Sequence, residues 1–551
     1  MRRHLLAIVA LAAASSTHAE VPVTPDFANA ADARVAGVYE AREADWRNGA
    51  IVYQVLVDRF APPADLEAKR ALYPAPKVLH AWHDLPTRGT YLPDAKLWSH
   101  EIDFWGGDLA SLRAKLGYVD DLGADVLYLN PIHLAYTNHK YDALDYRAIS
   151  PEFGDRADFD ALVADVHGRG MRIVLDGVFN HMGRNAPRFR EAEARVKARR
   201  EAASHGGHVA DEPGSGLEWF DFDPKYDGGV RVWAQAQNLP ELVLENPAVR
   251  DELYARPDSV VQSYLAAGVD GWRLDVAYDI GFRYLGELTA AAHARRPGSL
   301  VVGEIANYPA EWFPHVDAVM HFGLRQVLLR TVRGEIPARQ AGDMIERTLV
   351  DAGIEPMLKS WLYLDNHDTP RLATALPDPT QRRLAQVLQF TLPGSPNLYY
   401  GSELGLTGGD DPEMRAPMPW DRATGANPDL AWTRRLIALR RAHRALRVGD
   451  YRRLVADRLL AFERHTDRIG DAVFVIANPG LEPVTETVLV PDSKLMNIHG
   501  NTGLADLLDP AAAPVPVTSA LVRLTLAPGE VRVLAPVLAP REGYTPYKRV
   551  Q

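Results

Sequence analysis

The fold is constrained most strongly by eight short apolar runs that alternate with helix-like stretches between residues 51 and 400. Strands that alternate with helices predict parallel βαβ units, and eight units in series predict an α/β protein built on a (β/α)8 TIM barrel. The predicted strands cover residues 51–57, 125–130, 172–176, 271–275, 300–304, 316–320, 361–365 and 397–400. An open doubly wound sheet is the structural alternative, but no glycine-rich phosphate loop supports it.

The rest of the chain divides around this barrel, which we place at residues 49–448 after an N-terminal segment at 20–48. The widest gap between predicted strands holds a polar segment, residues 181–247, which we interpret as an insertion after the third strand. Long insertions in compact domains usually serve a functional site. Residues 449–540 read as strands and turns and predict an all-β sandwich domain, followed by a tail at 541–551.

The first residues are typical of a secretory leader. Arg2 and Arg3 precede an apolar run at residues 5–14, and small residues follow it, with a plausible cleavage site at 17–19. The run is too short to span a membrane. We therefore predict a signal peptide over residues 1–19 and a periplasmic or secreted protein that is not held in a membrane.

The composition narrows the function classes. The chain of 551 residues has no cysteine, which excludes disulfides and thiolate metal sites. A net charge of −11 argues against nucleic acid as a partner, because a phosphate backbone needs a basic surface. A neutral substrate fits this charge. The 11 Trp and 21 Tyr residues suit sugar stacking, although any single aromatic residue is more often part of the core.

Acidic residues end four of the predicted strands. In a TIM barrel the active site lies at the carboxyl ends of the strands. The third, fourth, fifth and seventh strands run into Asp176, Asp275, Glu304 and the stretch DNHD at 365–368. One acidic strand end is usually a helix cap, but four that converge on one face would repel one another unless the site uses them. These strand ends therefore predict the catalytic site.

Carboxylates with Arg and His allow two chemistries, glycoside hydrolysis by an acid–nucleophile pair or metal-assisted hydrolysis. His181 and His367 are candidate ligands, but no H-x-H or H-E-x-x-H spacing occurs at these strand ends. We therefore predict no metal site. Arg273, two residues before Asp275, fits a role in keeping that carboxylate ionised, as a nucleophile requires. Glu304 must instead hold a proton for a leaving oxygen.

The motifs at these strand ends resemble a known family. DGVFNH (176–181), GWRLDVA (271–277), GEIA (303–306) and LDNHD (364–368) are similar to the four signature regions of the α-amylase superfamily, family 13 of the glycoside hydrolases. TNHKYDALDY (137–146), LPELVLENP (239–247) and YYGSELGLTGGDDPEMRAPMPWD (399–421) resemble its cyclomaltodextrinase, neopullulanase and maltogenic amylase branch.

The resemblance implies a role for each matching residue. Asp275 would be the nucleophile, Glu304 the general acid/base, and Asp368 the carboxylate that stabilises the transition state. Asp176 would organise the surrounding network. The resemblance also implies six substrate-binding residues: Tyr141, His181, Arg273, His367, Asp411 and Arg415.

The chain departs from this branch at several positions. Residues 61–66 (APPADL) replace an Asn- and Asp-rich calcium loop, although Gly106 and Asp108 are kept. Calcium takes 6–8 oxygen ligands, so we predict an enzyme without a cofactor. Few residues lie where the branch carries an N-terminal domain that helps to form a dimer, so we predict a monomer or weak oligomer. Ala306 stands where the branch usually has an aromatic residue on the acceptor side.

These observations predict a retaining hydrolase that cleaves α-glucosidic bonds in short or cyclic gluco-oligosaccharides through a covalent glycosyl-enzyme. A transglucosylase or a glucan-cyclising enzyme is the alternative, because it would use the same catalytic residues. A non-catalytic sugar-binding barrel is a third hypothesis, against which the three retained carboxylates argue.

Overall fold

The computed structural model describes residues 30–205, 216–491 and 503–537, and its centre is a closed barrel of eight parallel strands. Register pairs join each strand to the next, and Val52 opposite Asn397 closes the ring. The barrel strands are β1 (Val52–Val55), β2 (Val126–Leu129), β3 (Arg172–Gly177), β4 (Gly271–Leu274), β5 (Leu300–Ile305), β6 (Ala318–His321), β7 (Trp361–Tyr363) and β8 (Ser395–Tyr399). The predicted (β/α)8 barrel is confirmed.

The strands read as continuous apolar runs because both of their faces are buried. Side chains such as Val52, Val174 and Met320 fill the barrel interior. The opposite faces, with Leu127 and Ile173 among them, pack under the surrounding helices. In a parallel sheet that is covered on both faces, polar and apolar residues do not alternate along the strands. This explains the continuous apolar runs in the sequence.

Helices surround the barrel and precede it. They are α1 (Ala30–Ala44), α2 (Val57–Phe60), α3 (Leu109–Ala114), α4 (Leu116–Leu122), α5 (Arg156–Gly168), α6 (Pro187–Ser204), α7 (Pro247–Arg250), α8 (Val260–Ala266), α9 (Ala277–Arg295), α10 (Phe322–Val332), α11 (Ala338–Ala352), α12 (Ile354–Lys359), α13 (Leu372–Ala375), α14 (Pro379–Thr391), α15 (Pro428–Ala442) and α16 (Arg444–Val448). Among the described residues, none of these helices has the length and apolar composition needed to cross a bilayer.

Three long connections at the carboxyl ends of the strands build the mouth of the barrel. The β1–α3 connection contains a hairpin, Tyr91–Leu92 with Leu97–Trp98, and a short parallel pair, Val78–Leu79 with Asp103–Phe104. After β2, His133–Ala135 pairs with Ala143–Ile149. After β3 comes the insertion, which contains α6 and is joined to the end of β3 by a bridge between His181 and Glu241.

The C-terminal strands form two antiparallel sheets with a shared core, which confirms the predicted all-β domain. They are β9 (Asp450–Arg453), β10 (Leu460–His465), β11 (Val473–Ala477), β12 (Val484–Leu489), β13 (Gly503–Asp506), β14 (Val515–Pro516), β15 (Leu521–Leu526) and β16 (Val531–Pro536). Six of them follow the order β9-β10-β11-β16-β13-β14, and β12 pairs with β15. Phe474 and Ile476 of the larger sheet pack against Val488 and Val522 of the smaller one.

One buried cation joins this domain to the barrel. Arg464 on β10 donates to the main-chain oxygen of Thr391, at the end of α14, over 2.7 Å. It also donates to the carbonyl oxygens of Leu446 and Gly449, over 3.2 and 2.9 Å, at the end of α16. The predicted leader at 1–19 and the predicted tail at 541–551 lie outside the described residues.

Candidate active site

The centre of the site is Arg273 on β4, a fully buried guanidinium that contacts three carboxylates. Its Nη1 donates to Asp176 on β3 over 2.9 Å and to Asp275, which follows β4, over 3.0 Å. Its Nη2 lies 2.7 Å from Oε1 of Glu304 on β5. Three adjacent strands thus place acidic residues from their carboxyl ends around one guanidinium. This agrees with the position of the active site at the carboxyl ends of the strands in a TIM barrel.

The two candidate catalytic carboxylates, Asp275 and Glu304, lie beside the same guanidinium, and Asp275 is affected by its neighbour. Burial and the neighbouring Glu304 raise the pKa of Asp275 well above its usual value, although Arg273 acts in the opposite direction. Glu304 accepts a hydrogen bond at Oε2 from the Val276 amide over 2.9 Å, and its Oε1 lies 2.7 Å from Nη2 of Arg273. The raised pKa of Asp275 favours its protonated form. This differs from our expectation that Arg273 would keep Asp275 ionised, because burial and repulsion outweigh one cation.

Asp368, which follows β7, is held in the opposite state. Its carboxylate lies 3.0 Å from Nε2 of His367 and 3.1 Å from Nη2 of Arg415. Burial acts to raise the pKa of Asp368, but His367 and Arg415 outweigh it and hold that pKa well below the usual range. Asp368 therefore stays ionised at neutral pH and presents a fixed negative charge to the cleft.

Tyr141 and His367 form one wall of the pocket. Their rings are parallel, with centroids 5.3 Å apart and planes inclined by 8°. The Tyr141 hydroxyl lies 2.8 Å from Oδ2 of Asp176 and accepts a hydrogen bond from Asn130 over 2.9 Å. Gln54 lies 2.9 Å from Nδ1 of His367 and fixes the plane of that ring. The aromatic wall is thus attached to the same carboxylate network as Arg273.

His181, just beyond β3, lies beside this network without a hydrogen-bond partner for its ring nitrogens. Its Nε2 lies 4.0 Å from Oδ2 of Asp275, and neither ring nitrogen has a hydrogen-bond partner among the described residues. Burial lowers the pKa of His181 to about 3, so the ring is neutral at physiological pH. Buried polar atoms are normally satisfied. A neutral imidazole with two free nitrogens is therefore suited to bond sugar hydroxyls, one as donor and one as acceptor.

Asp411 and Arg415 extend the cluster outward. Arg415 Nη1 lies 3.1 Å from Oδ1 of Asp411 while its Nη2 holds Asp368. His100 lies 3.3 Å from the other Asp411 oxygen. With these contacts the structure brings together all nine predicted site residues: Tyr141, His181, Arg273, Asp275, Glu304, His367, Asp368, Asp411 and Arg415. Their individual roles stay predictions.

The sequence reasoning missed residues that support the pocket from other elements. Gln54 is the last but one residue of β1, and Asn130 directly follows β2. As polar residues at the carboxyl ends of apolar runs, they could have been found in the same way as the acidic strand ends. Tyr128, which donates to Asp176 over 2.6 Å, carries no such signal. Trp233 in the insertion stacks on His181, with ring centroids 5.5 Å apart.

Trp233 changes the picture of the acceptor side. Its Nε1 donates to Asp279 over 2.9 Å, which fixes the indole beside the start of α9. The next two residues, Ala234 and Gln235, have φ values of 45° and 64° and turn the chain sharply after it. Ala306 is exposed and offers no ring. The insertion therefore supplies an aromatic ring beside His181, whereas the residue after β5 supplies none.

The residues that resemble part of a calcium site do not fit a metal ion. Lys69 places its ammonium 2.7 Å from the Gly106 carbonyl oxygen, 2.8 Å from Oδ2 of Asp108 and 2.8 Å from the Glu152 carbonyl oxygen. These are the oxygens that a cation would need. No cluster of three or more His, Asp or Glu side chains suited to a metal occurs in the described part of the chain.

Comparison with known proteins agrees with the motifs. Residues 54–432 match the family model "Alpha amylase, catalytic domain". Neopullulanase 2 of Thermoactinomyces vulgaris is 31% identical over 458 residues, which cover 82% of this chain and 72% of that protein. A cyclomaltodextrinase of a Bacillus species is 34% identical over 382 residues, covering 68% of this chain and 66% of the relative.

A solved structure is similar over most of the fold. The ligand-free cyclic alpha-maltosyl-(1→6)-maltose hydrolase from Arthrobacter globiformis superposes with a TM-score of 0.71 at 28% identity. The match covers 89% of this chain and 99% of that one. The similarity thus extends over both the barrel and the C-terminal domain.

The comparison contradicts the predicted signal peptide and the periplasmic or secreted location. An intracellular maltogenic amylase of Bacillus subtilis (strain 168) is 31% identical over 414 residues, which span 63% of that relative. Our prediction rested on the order of two arginines, a short apolar run and small residues, and such a local pattern does not by itself make a segment that is exported. The absence of cysteine is equally suited to a reducing compartment. The predicted secretion is therefore withdrawn.

The family model, the relatives and the matching structure all point to the assignment that the four motifs indicated. The family model alone extends from β1 to α15 and includes every candidate catalytic residue. The chain therefore belongs to the α-amylase family of glycoside hydrolases.

Proposed function

We propose that the protein hydrolyses α-glucosidic bonds in short or cyclic gluco-oligosaccharides, with Asp275 as nucleophile and Glu304 as general acid/base. The observation that carries this proposal is the placement of both carboxylates on one buried cation, 3.0 and 2.7 Å from Arg273. A pair of carboxylates, one ionised and one protonated, is the machinery of retaining glycoside hydrolysis.

The geometry supports a double displacement. Asp275 attacks the anomeric carbon while Glu304 protonates the leaving oxygen, which gives a glycosyl-enzyme ester. Glu304 then takes a proton from water as the water displaces Asp275, and the product keeps the α configuration. Asp368, kept ionised by His367 and Arg415, stabilises the positive charge that develops on the sugar in both transition states.

The raised pKa of Asp275 sets a condition for this reaction, because Asp275 must lose its proton before it can attack. The glycosidic oxygen of a bound substrate accepts hydrogen bonds and donates none, so the first step also requires a protonated Glu304 beside it.

The substrate class is supported by the relatives and by the insertion. The matching proteins include a cyclomaltodextrinase and a hydrolase of a cyclic maltosyl-maltose. Trp233 of the insertion stacks on His181, which lies 4.0 Å from Asp275. An insertion that reaches this close to the nucleophile supports small rings and short chains as substrates over a polymer.

The test combines two variants with product stereochemistry. We expect Asp275→Asn and Glu304→Gln each to lower turnover of maltotriose and a cyclodextrin by about 10³-fold or more while circular dichroism stays unchanged. Proton NMR of fresh digests should show the α-anomer first. Activity within tenfold of wild type in either folded variant, or β-anomer as the first product, would refute the assignment. A product list dominated by transfer products at high sugar concentration would favour the transglucosylase instead.

We further propose that the protein acts as a monomer or weak oligomer. The support for this is the short segment at 20–48, where the related branch carries an N-terminal domain that helps to form a dimer. Light scattering coupled to size-exclusion chromatography measures this directly, and a stable dimer at micromolar concentration would contradict it.

A further inference from the structure

The hairpin of the β1–α3 connection presents two aromatic rings to solvent. Tyr91 and Trp98 are opposite each other in its antiparallel register, with ring centroids 5.8 Å apart and planes inclined by 70°. The Arg88 guanidinium lies 5.6 Å from the centroid of the Trp98 ring, on one of its faces. Their neighbours Leu92 and Leu97 point the other way, into a small apolar cluster with Tyr73. Alternation along the two strands therefore anchors one face and leaves the other, with Tyr91 45% and Trp98 38% exposed, free to bind.

This aromatic pair is joined to the candidate active site by a continuous series of contacts. The Trp98 ring lies 6.1 Å from the ring of His100. His100 accepts a hydrogen bond from the Gly89 amide at Nδ1, over 3.1 Å, so its Nε2 carries the proton that points to Asp411, 3.3 Å away. Arg415 then connects Asp411 to the catalytic-site residue Asp368. The hairpin thus lies farther from Asp368 than Asp411 does, on the same side of the cleft.

The base of the hairpin is also held rigidly against the pocket. Asn138 donates through Nδ2 to the carbonyl oxygens of His100 and Asp103, over 2.8 Å each. Its amide donates to the Glu101 oxygen over 2.7 Å. Asn138 lies three residues before Tyr141, so the same segment positions the pocket wall and the hairpin. A fixed surface costs little ordering entropy when a ligand binds to it.

We propose that Tyr91 and Trp98 form a sugar-binding platform for the α-glucosyl unit that lies beyond Asp411 on the donor side of the cleft. The proposal rests on the proposed function, in which Asp275 attacks the unit next to Asp368. Aromatic rings with an exposed face suit the apolar face of a pyranose, and Asp411 next to them accepts hydrogen bonds from hydroxyls. Donor chains long enough to reach the hairpin are therefore bound more tightly than donor chains of two units.

Aryl glycosides test this directly, because release of p-nitrophenol reports only the register in which the aryl group occupies the acceptor side. We compare kcat/KM for p-nitrophenyl α-maltoside and p-nitrophenyl α-maltopentaoside. Wild type should prefer the longer substrate. Trp98→Ala should lower kcat/KM for the maltopentaoside by about five- to tenfold and leave the maltoside within twofold, since the lost contact stacks on an outer unit.

Two further variants serve as controls. Trp98→Phe keeps a stacking ring and should retain most of the preference for the longer substrate. Leu85→Ala removes an exposed apolar side chain of the same connection, 72% exposed, and should change neither value. An equal loss of kcat/KM on both substrates, or no loss on the longer one, would overturn the platform.

A binding measurement separates this proposal from the proposed function. Calorimetric titration of maltopentaose and maltose into Glu304→Gln protein and into its Trp98→Ala double variant needs no turnover. The platform predicts weaker binding of maltopentaose alone in the double variant. If wild type cleaves no α-glucoside but this difference remains, the platform stands and the proposed reaction fails. If all α-glucosides are cleaved and the difference is absent, the reaction stands and the platform fails.

Discussion

At the scale of single residues, the charge states of Asp275 and Asp368 have opposite consequences for stability. The folded pKa of Asp275 is raised, so its contribution to stability is present below the unfolded pKa of about 4 and is lost as pH rises through the folded pKa. The folded pKa of Asp368 is lowered, so its contribution is present above about 4 and is lost as pH falls. At neutral pH one carboxylate destabilises the fold and the other stabilises it.

We therefore expect Asp275→Asn to raise the melting temperature at pH 7 and Asp368→Asn to lower it, each on the order of 1–3 °C in a chain of this size. Differential scanning calorimetry at pH 7 and pH 4 measures both. The gain from Asp275→Asn should shrink at pH 4, where the wild-type carboxyl is already protonated. A lower melting temperature for Asp275→Asn at pH 7 would mean that its ion pair with Arg273 outweighs the repulsion from Glu304.

The site residues could be predicted from the sequence where a charged residue ends an apolar strand, and less well where the residue comes from another element. Asp275 and Glu304 stand out because a charged residue interrupts an apolar run at the edge that faces the active site. The charge state of Asp275 did not follow, because it depends on burial and on the distance to Glu304. Trp233 was missed because it reaches His181 from a polar insertion, where no periodic pattern marks a packed residue.

At the scale of elements, the ends of the strands follow the apolar runs to within one or two residues, because burial on both faces sets the run. Helix α6 was not predicted. It buries Phe189 and Ala192 and exposes much of its remaining surface, so it lacks the apolar stripe that marks a helix in a sequence. Within the predicted all-β region, β15 and β16 are joined by a turn at Gly529, whose φ of 71° suits glycine.

In the β1–α3 connection, the Lys69 ammonium occupies the position where a metal ion would be expected, and this leads to a prediction about metal dependence. We expect activity and melting temperature to survive prolonged EDTA treatment, because the Lys69 ammonium already bonds the Gly106 and Glu152 carbonyl oxygens and Asp108. Lys69→Met should lower stability by about 1–3 kcal/mol, since it leaves those oxygens without a donor. Thermal denaturation before and after dialysis against EDTA measures both effects.

Arg70→Met is the matched control for this element. Arg70 follows Lys69 but pairs only with Glu67 on the surface, and exposed pairs contribute little. It should therefore melt like wild type. A wild-type enzyme that loses activity in EDTA and regains it with calcium would show that a metal ion, and not Lys69, holds this connection.

At the scale of the whole molecule, the insertion and the altered acceptor side predict the range of substrates. We expect higher kcat/KM on maltotriose, a cyclodextrin or an α-1,6-linked oligosaccharide than on soluble starch, because the insertion reaches the pocket through Trp233 and Ala306 provides no stacking surface. Ala306→Trp should strengthen acceptor selection severalfold, since such a surface contributes about 1 kcal/mol. Starch as the best substrate would contradict this expectation.

Arg464 of the β domain bonds to helices that surround the barrel, so the β domain contributes to the stability of the barrel. Its three acceptors are main-chain oxygens at the ends of α14 and α16. Truncation after Val448 would remove Arg464 and leave the carbonyl oxygens of Thr391 and Leu446 without this donor, at about 1–3 kcal/mol for each one left buried and unpaired. Heat should accordingly melt both domains as one cooperative block, seen as a single endotherm. A design that uses the barrel alone must therefore supply another donor for the carbonyl oxygens at the ends of α14 and α16.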